Sequence, residues 1–196
     1  LILYKAGETQ KGSEAVQSHT SALAGDMAVY RAAFDQMNVI ATNDFAQMVN
    51  LAYLAKFKQR RGGQRVAIMT MSGAMGAILA DKCILAGMEV PTLSLEDQKI
   101  LRSGIPDYGM VSNPVDVTGN IVNTPEFARA ALTTLATSPD IDVLVVTAPG
   151  YLLDRMSEYL IEIASSTSRL IVAIDTGKAS CREKLSQAGV AVFDDV

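Results

Sequence analysis

The sequence holds one histidine, His19, in the run Ser18-His19-Thr20 of a small-residue stretch punctuated by Gly7, Gly12 and Gly25. A neutral imidazole is a competent nucleophile near pH 7, and a glycine-rich loop would let it move. A packed or merely exposed histidine is the ordinary alternative. Two further segments could carry chemistry. MSGAMG at 71–76 follows a strand-like run and opens a helical one, so its free backbone N–H groups and the helix dipole would make an anion site. Ser72 would add a hydroxyl and Gly73 a close backbone approach, although the same residues also serve simply to turn the chain. In SNPVDV at 112–117, Pro114 restrains the backbone and Asp116 can accept from local N–H groups, as a structural loop residue or a catalytic carboxylate.

Other chemistries lack their residues. There is no GxxxxGK[ST] loop, no GxSxG elbow and no histidine–cysteine cluster, which speaks against a P-loop, a serine-hydrolase triad and a zinc site. Met69, Met71 and Met75 read as core filler and loop edge. Cys83 and Cys181 fit no metal spacing and are too few for a disulfide framework, so free thiols in a reducing, cytoplasmic compartment are expected. The net charge is −4, from 17 Lys and Arg against 21 Asp and Glu, with no basic block, which argues against nucleic acid or an anionic membrane as partner. Apolar residues make up 49% but fall in short runs, none near the roughly 20 needed to span a bilayer.

These residues need elements to position them. LILYK at 1–5 reads as a strand and is expected to be a domain cut in its middle; residues 6–26 read as a long loop, with a helix from Met27 to Met37, a strand at 38–41 and a helix capped by Asn43. KQRRGGQ at 58–64 marks a boundary. Beyond it, apolar runs RVAIMT, EVPTL, GMVSNPVDV, DVLVVTAP, RLIVAID and VAVF alternate with helical patterns. The expectation is an α/β fold: a flavodoxin-like, doubly wound parallel five-stranded sheet of order 2-1-3-4-5 over 65–196. It is preceded by the C-terminal part of a second similar domain at 1–43 and a connecting helix and linker at 44–64. In such sheets ligands gather beyond the carboxyl ends of the strands, where the 71–76 and 112–117 loops fall.

The run KAGETQKGSEAVQSHTSALAGD resembles the phosphohistidine loop of the nucleoside-diphosphate-forming acyl-CoA synthetases, the superfamily that includes succinyl-CoA synthetase. Lys5, Gly7, Gly12, Ser18, His19, Thr20, Ala22, Leu23, Ala24 and Gly25 carry the likeness. The segment from Arg65 to Ser94 is similar to the family's second flavodoxin-like domain, and SNPVDVTG, with Asn113 and Asp116, looks like its NPxD loop. The order of the two domains on one chain resembles the ADP-forming acetyl-CoA synthetase branch.

The resemblance implies an acid–thiol ligase reaction in which acid, CoA and ATP interconvert with acyl-CoA, ADP and phosphate. An acyl phosphate and a phosphohistidine at His19 would be the intermediates, with Ser72, Gly73 and the Ala74 amide facing the phosphate. It implies CoA, ATP or ADP and Mg2+ in the full-length enzyme, with none bound by this stretch alone. The partners it implies are CoA-binding and ATP-grasp domains or subunits and a small carboxylic acid; homo-oligomerisation stays open. Two residues depart from the family pattern, Ser21 after the SHT and Ala74 where a second glycine is usual. A related enzyme acting on another acid, such as an aromatic one, and a non-catalytic acyl-CoA-sensing module are the competing readings. A receiver or flavin module fits less well, because the first strand lacks an acidic pair and its loop is poor in hydroxyls.

Overall fold

The first strand-like run and the one near residue 40 pair in parallel in the computed structural model, which describes residues 1–20 and 25–195. β1 (Ile2–Tyr4) and β2 (Ile40–Thr42) align Ile2 with Ile40 and Tyr4 with Thr42. They are joined through α1 (Gln10–Thr20) and α2 (Met27–Gln36) and followed by α3 (Phe45–Leu54). The sequence predicts a loop where α1 stands. Its start is set by Thr9, whose Oγ1 accepts from the Gly12 N–H at 3.1 Å, and Gln10 and Lys11 both reach Glu14 along the first turns. Small polar residues hid this helix because they carry no apolar period. Asp26 caps α2 through the Ala28 N–H at 2.8 Å. Asp44, one residue beyond the predicted Asn43, caps α3 through the Gln47 N–H, and the Gln47 side chain accepts from Asn43 in return. Tyr4 of β1 meets Phe45 of α3 edge-on at 4.7 Å.

Residues Leu1–Lys56 and Phe57–Val196 form separate compact units. The second contains β3 (Val66–Thr70), α4 (Gly73–Leu85), α5 (Leu95–Arg102), β4 (Val115–Asp116), α6 (Pro125–Thr137), β5 (Val143–Ala148), α7 (Gly150–Ser166), β6 (Leu170–Asp175), α8 (Arg182–Gln187) and β7 (Val190–Phe193). The parallel sheet runs β4-β3-β5-β6-β7, the flavodoxin-like 2-1-3-4-5 order. Strands β3 and β5 are buried throughout because both faces are covered. Val66, Ile68, Val143 and Val145 pack with Leu79 of α4 on one face; Ala67, Met69, Leu144 and Val146 pack with Leu132, Leu135, Leu153 and Leu160 of α6 and α7 on the other. The period-2 alternation of the strands assigns each residue its face.

EVPTL does not form the predicted strand; Glu89 makes only an isolated bridge to Arg65. The reason lies in Asn113, which is buried with φ +91°. Its Oδ1 accepts from the Ile68 N–H at 2.9 Å, and its Nδ2 donates to the Val66 and Pro91 carbonyls, each at 2.9 Å. One side chain thus occupies the edge of β3 where a neighbouring strand would pair, and β4 joins only at Met69 and Thr70. Arg60 acts comparably on the other side of the unit. Its guanidinium donates to the Ala164 and Thr167 carbonyls at the end of α7 and to Ala188 at the end of α8, countering two helix C-termini.

At the amino end of β5, the Asp142 carboxylate accepts from Arg65 Nε and Nη2 and from the Arg65 backbone N–H. The Arg65 side chain, with its backbone N–H, lowers the Asp142 carboxyl to about 2. The ordinary value of 3.8 belongs to the unfolded chain. The folded group is therefore the stronger acid, and its stabilisation is present above pH 4 and lost as pH falls towards 2. Urea midpoints for the native protein and Asp142→Asn are expected to differ most above pH 5 and to converge towards pH 2. Asn113→Ala strands one buried N–H and two carbonyls and is expected to cost about 3 kcal/mol or more, read by urea denaturation.

Candidate functional site

The carboxyl ends of β3, β5 and β6 open into a cleft of about 240 Å³ lined by Thr70, Ser72, Met75, Thr147, Tyr151 and Thr176, among others. The turn from β3 into α4 is held by Thr70, whose Oγ1 accepts from the Ser72 N–H at 3.0 Å and donates to the Ser72 carbonyl at 2.9 Å. That leaves Ser72 as N-cap with no side-chain capping bond. The Gly76 N–H makes the helix's first backbone bond, to Ser72, so the Gly73, Ala74 and Met75 amides lie ahead of the helical ladder. Ser72, Gly73 and Ala74 are exposed. The end of α4 therefore presents N–H donors, a free hydroxyl and a dipole to solvent, which is the equipment for an oxyanion.

Asp116 borders this end: its Oδ1 accepts from the Thr118 N–H at 3.0 Å, and its Oδ2 would lie 3.3 Å from a Cβ placed at Gly73. Asn113, in the same loop, has its carboxamide committed to backbone and supports the site by placing the loop. Gly76 lets α4 approach β3, since a Cβ there would lie 3.1 Å from Thr70 Cγ2 and 3.2 Å from Pro114.

A second helix end on the cleft escapes sequence reasoning. α7 begins at Gly150 directly after Pro149, with no side-chain cap. Gly150 and Gly177 touch backbone to backbone, and a Cβ on Gly150 would sit 2.5 Å from the Gly177 carbonyl oxygen. Thr147, 3% exposed at the floor of the cleft, makes no hydrogen bond through its hydroxyl among the described residues. The TAPG turn was the available signal; nothing local distinguishes it from an ordinary strand-to-helix connection.

The loop carrying Gly177 is held by two carboxylates. Burial pushes the Asp175 carboxyl up, but the Gly177 and Ala179 amides and Arg182 outweigh it and hold it below the ordinary range. Asp154 of α7 accepts from the Ser180 hydroxyl and from the Ser180 and Cys181 amides. The Cys181 thiol and these groups lower Asp154, whereas burial, with Asp154 beside it, pushes the Cys181 thiol up to about 12. Such a thiol is no nucleophile near neutrality. Lys178, with φ +56°, shapes the same loop, and α8 starts at Arg182.

His19 lies in the other unit, exposed in the last turn of α1, where a cation suits the helix dipole. It stands on a helix and not in the expected loop. The Ser18 hydroxyl donates to the Ala15 carbonyl at 2.8 Å. Thr20 closes α1; Ser21, Ala22, Leu23 and Ala24 lie outside the described residues. Gly25 has φ +70° and leaves room for Tyr30, which a Cβ would approach to 2.7 Å. Among the described residues no three histidine, cysteine or acidic side chains gather to hold a metal ion, and no helix is long and apolar enough to cross a membrane.

A doubly wound parallel sheet with a cleft of free helix amides and hydroxyls at its carboxyl edge is an α/β domain of the flavodoxin-like type. Residues 1–55 match the family model of the succinyl-CoA ligase like flavodoxin domain, and residues 66–173 match that of the Ligase-CoA domain. The second match covers more than half of the sequence, and the chain belongs to the NDP-forming acyl-CoA synthetase family.

It is 35% identical over 145 residues to acetate–CoA ligase (ADP-forming) II subunit alpha of Pyrococcus furiosus, covering 74% of this chain and 31% of that protein. It is 34% identical over 155 residues to acetate–CoA ligase (ADP-forming) I of Archaeoglobus fulgidus, covering 79% and 22%. The chain thus spans less than a third of these relatives. A crystal structure from Pyrococcus horikoshii OT3 superposes with a TM-score of 0.75 at 26% identity, covering 87% of this chain and 41% of that one. The Ca. Korarchaeum cryptofilum dinucleotide forming acetyl-coenzyme A synthetase 1, in complex with phosphate and ADP, gives 0.80 at 20% identity over 99% and 43%, a likeness of fold.

Gly150→Ala is expected to cost on the order of 2–3 kcal/mol, because rigid backbone opposes the new methyl. Gly73→Ala should cost about 1 kcal/mol or less, since the new methyl meets only the Asp116 carboxylate oxygen, 3.3 Å away at the end of a side chain that can give by a few tenths of an ångström. Paired urea titrations read the difference.

Proposed function

We propose that this chain is part of an ADP-forming acyl-CoA synthetase in which His19 carries the phosphoryl group. The observation that carries this reading is the pairing, on one chain, of a succinyl-CoA ligase like domain bearing an exposed His19 with a Ligase-CoA domain. An imidazole nitrogen of His19 attacks the phosphorus of an acyl phosphate, the bond from phosphorus to the acyl oxygen breaks, and the carboxylate leaves. A second transfer moves the phosphoryl group to ADP and restores the neutral ring; the reverse sequence activates an acid for attack by the CoA thiol.

A phosphoryl group on nitrogen carries close to two negative charges. The Ser72 hydroxyl and the Gly73 and Ala74 amides supply donors of the right kind, and the α7 amino end beside Gly150 and the Thr147 hydroxyl extend the same cleft. Asp116 at its border would repel a dianion unless its own acceptors stay occupied, as Oδ1 is by Thr118. Ser18, Thr20 and Gly25 are assigned to shaping the histidine segment, and Asn113 to placing the Asp116 loop. We assign residues 1–43 to the end of the histidine domain, 44–64 to the connection and 65–196 to the second ligase domain.

CoA, the nucleotide and a small carboxylic acid are proposed ligands of the whole enzyme, with CoA-binding and ATP-grasp domains or subunits as partners. The described residues gather no donor set for Mg2+, which is assigned with the nucleotide, and no step here runs through it. The two free cysteines suit a cytoplasmic protein.

The test is phosphoryl transfer in the enzyme that contains this chain. After incubation with ATP and Mg2+, peptide mapping is expected to find an acid-labile phosphate on His19, and His19→Ala should abolish both the label and acyl-CoA formation with an unchanged melting curve. Turnover retained in His19→Ala sinks the phosphohistidine assignment. Absence of label with acyl-CoA still bound replaces it with a sensing module.

A further inference from the structure

At the amino ends of β3, β5 and β6, the opposite end of the strands that carry the cleft above, Arg61, Arg65 and Arg169 line a second cleft of about 200 Å³ with Gly62, Ile141 and Asp142. Strands of five or six residues separate the two by roughly 17–20 Å. Arg61 and Arg169 are partners in a parallel bridge, closed by the Arg61 N–H donating to the Ser168 carbonyl at 2.6 Å and the Leu170 N–H donating to the Arg61 carbonyl at 2.8 Å. Side chains so paired are close neighbours, and like charges placed there repel.

The charge in this cleft is not balanced from within. Asp142 is the one carboxylate in the lining, and both its oxygens are taken by Arg65, at 2.7 and 3.1 Å. Asp140 and Glu89 also act on Arg65. Arg169 donates one N–H to the Ala136 carbonyl at 2.8 Å. The Arg61 guanidinium has no hydrogen-bond or ion-pair partner among the described residues. Gly62 beside it leaves open space, and Gly63 brings the chain so near Asp142 that a Cβ would lie 2.5 Å from its carboxyl carbon. Three guanidiniums, one of them free, therefore face a cleft holding one already committed carboxylate.

We propose that this cleft binds a small anion of the phosphate class carrying two or more charges, with the forked guanidiniums of Arg61 and Arg169 as its donors. Arg65, fixed by Asp142, forms the wall behind them and adds field more than hydrogen bonds. Planar guanidinium matches a phosphate's paired oxygens, which a lysine ammonium does not. The site is separate from the α4–α7 cleft and stands whether or not the phosphohistidine assignment does.

Pyrophosphate is the probe, titrated into the 196-residue chain at constant ionic strength and followed by amide NMR. Shifts are expected at Gly62, Gly63, Arg65, Asp142 and Leu170. Arg61→Gln, which removes no contact of the folded protein, should weaken that binding at least tenfold without moving the melting temperature. Arg61→Lys should weaken it less. The proposal is overturned if shifts are confined to residues 72–76 and 147–152, if Arg61→Gln titrates like the native chain, or if sodium chloride produces the same shifts.

Discussion

Every backbone donor and acceptor on the open edge of β3 has to be satisfied, and where the fold offers no neighbouring strand a single carboxamide does the work of one. Asn113 fills the Ile68 N–H and the Val66 carbonyl while also tethering Pro91, so the segment after α4 touches the sheet only through the Glu89–Arg65 bridge and forms no strand. The consequence reaches the candidate site. With Asn113 anchored, β4 begins immediately at Val115, the Val117 N–H reaches the Thr70 carbonyl at 2.9 Å, and Asp116 is delivered beside Gly73. The geometry of the β3–α4 turn is thus a by-product of hydrogen-bond satisfaction several residues away.

The loops at the carboxyl edge follow a related logic. Asp175 and Asp154 gather the amides of Gly177, Ala179, Ser180 and Cys181, and so hold Gly177 against Gly150 without a regular element between β6 and α8. Carboxylates that accept several N–H groups favour their ionised form, and Asp175 does so while buried. Rigid walls thus surround a cleft with uncommitted hydroxyls at its mouth, Ser72, and at its floor, Thr147. At the other end of the strands, the Arg60 guanidinium makes three hydrogen bonds to carbonyls at helix ends, while that of its neighbour Arg61 makes none among the described residues. Adjacent identical residues serve stability and recognition respectively.

The first unit contributes differently. Val29, Met37, Phe45 and Val49 are all more than half exposed, so its helices are held by caps and by the short β1–β2 pairing more than by a core. His19, in the last turn of α1 on this unit, is exposed to solvent.

The amino-acid sequence by itself determined the parallel sheet of the second unit, the helical patterns between its strands, the strand-to-helix turn at Ser72 and the singular position of His19. Each of these rests on periodicity or on partners three or four residues away, such as the Ser94 hydroxyl and the Asp97 N–H. Tertiary structure alone decided what depends on distant partners. Asn113 lies 45 and 47 residues from the β3 atoms it bonds, Arg60 more than 100 from its carbonyls, and Thr147 shares a cleft with Ser72, and Gly150 touches Gly177, only because the strands fall into register. The α1 helix was missed for the opposite reason: its caps are local, but its small polar residues give no apolar face from which a helical period can be read.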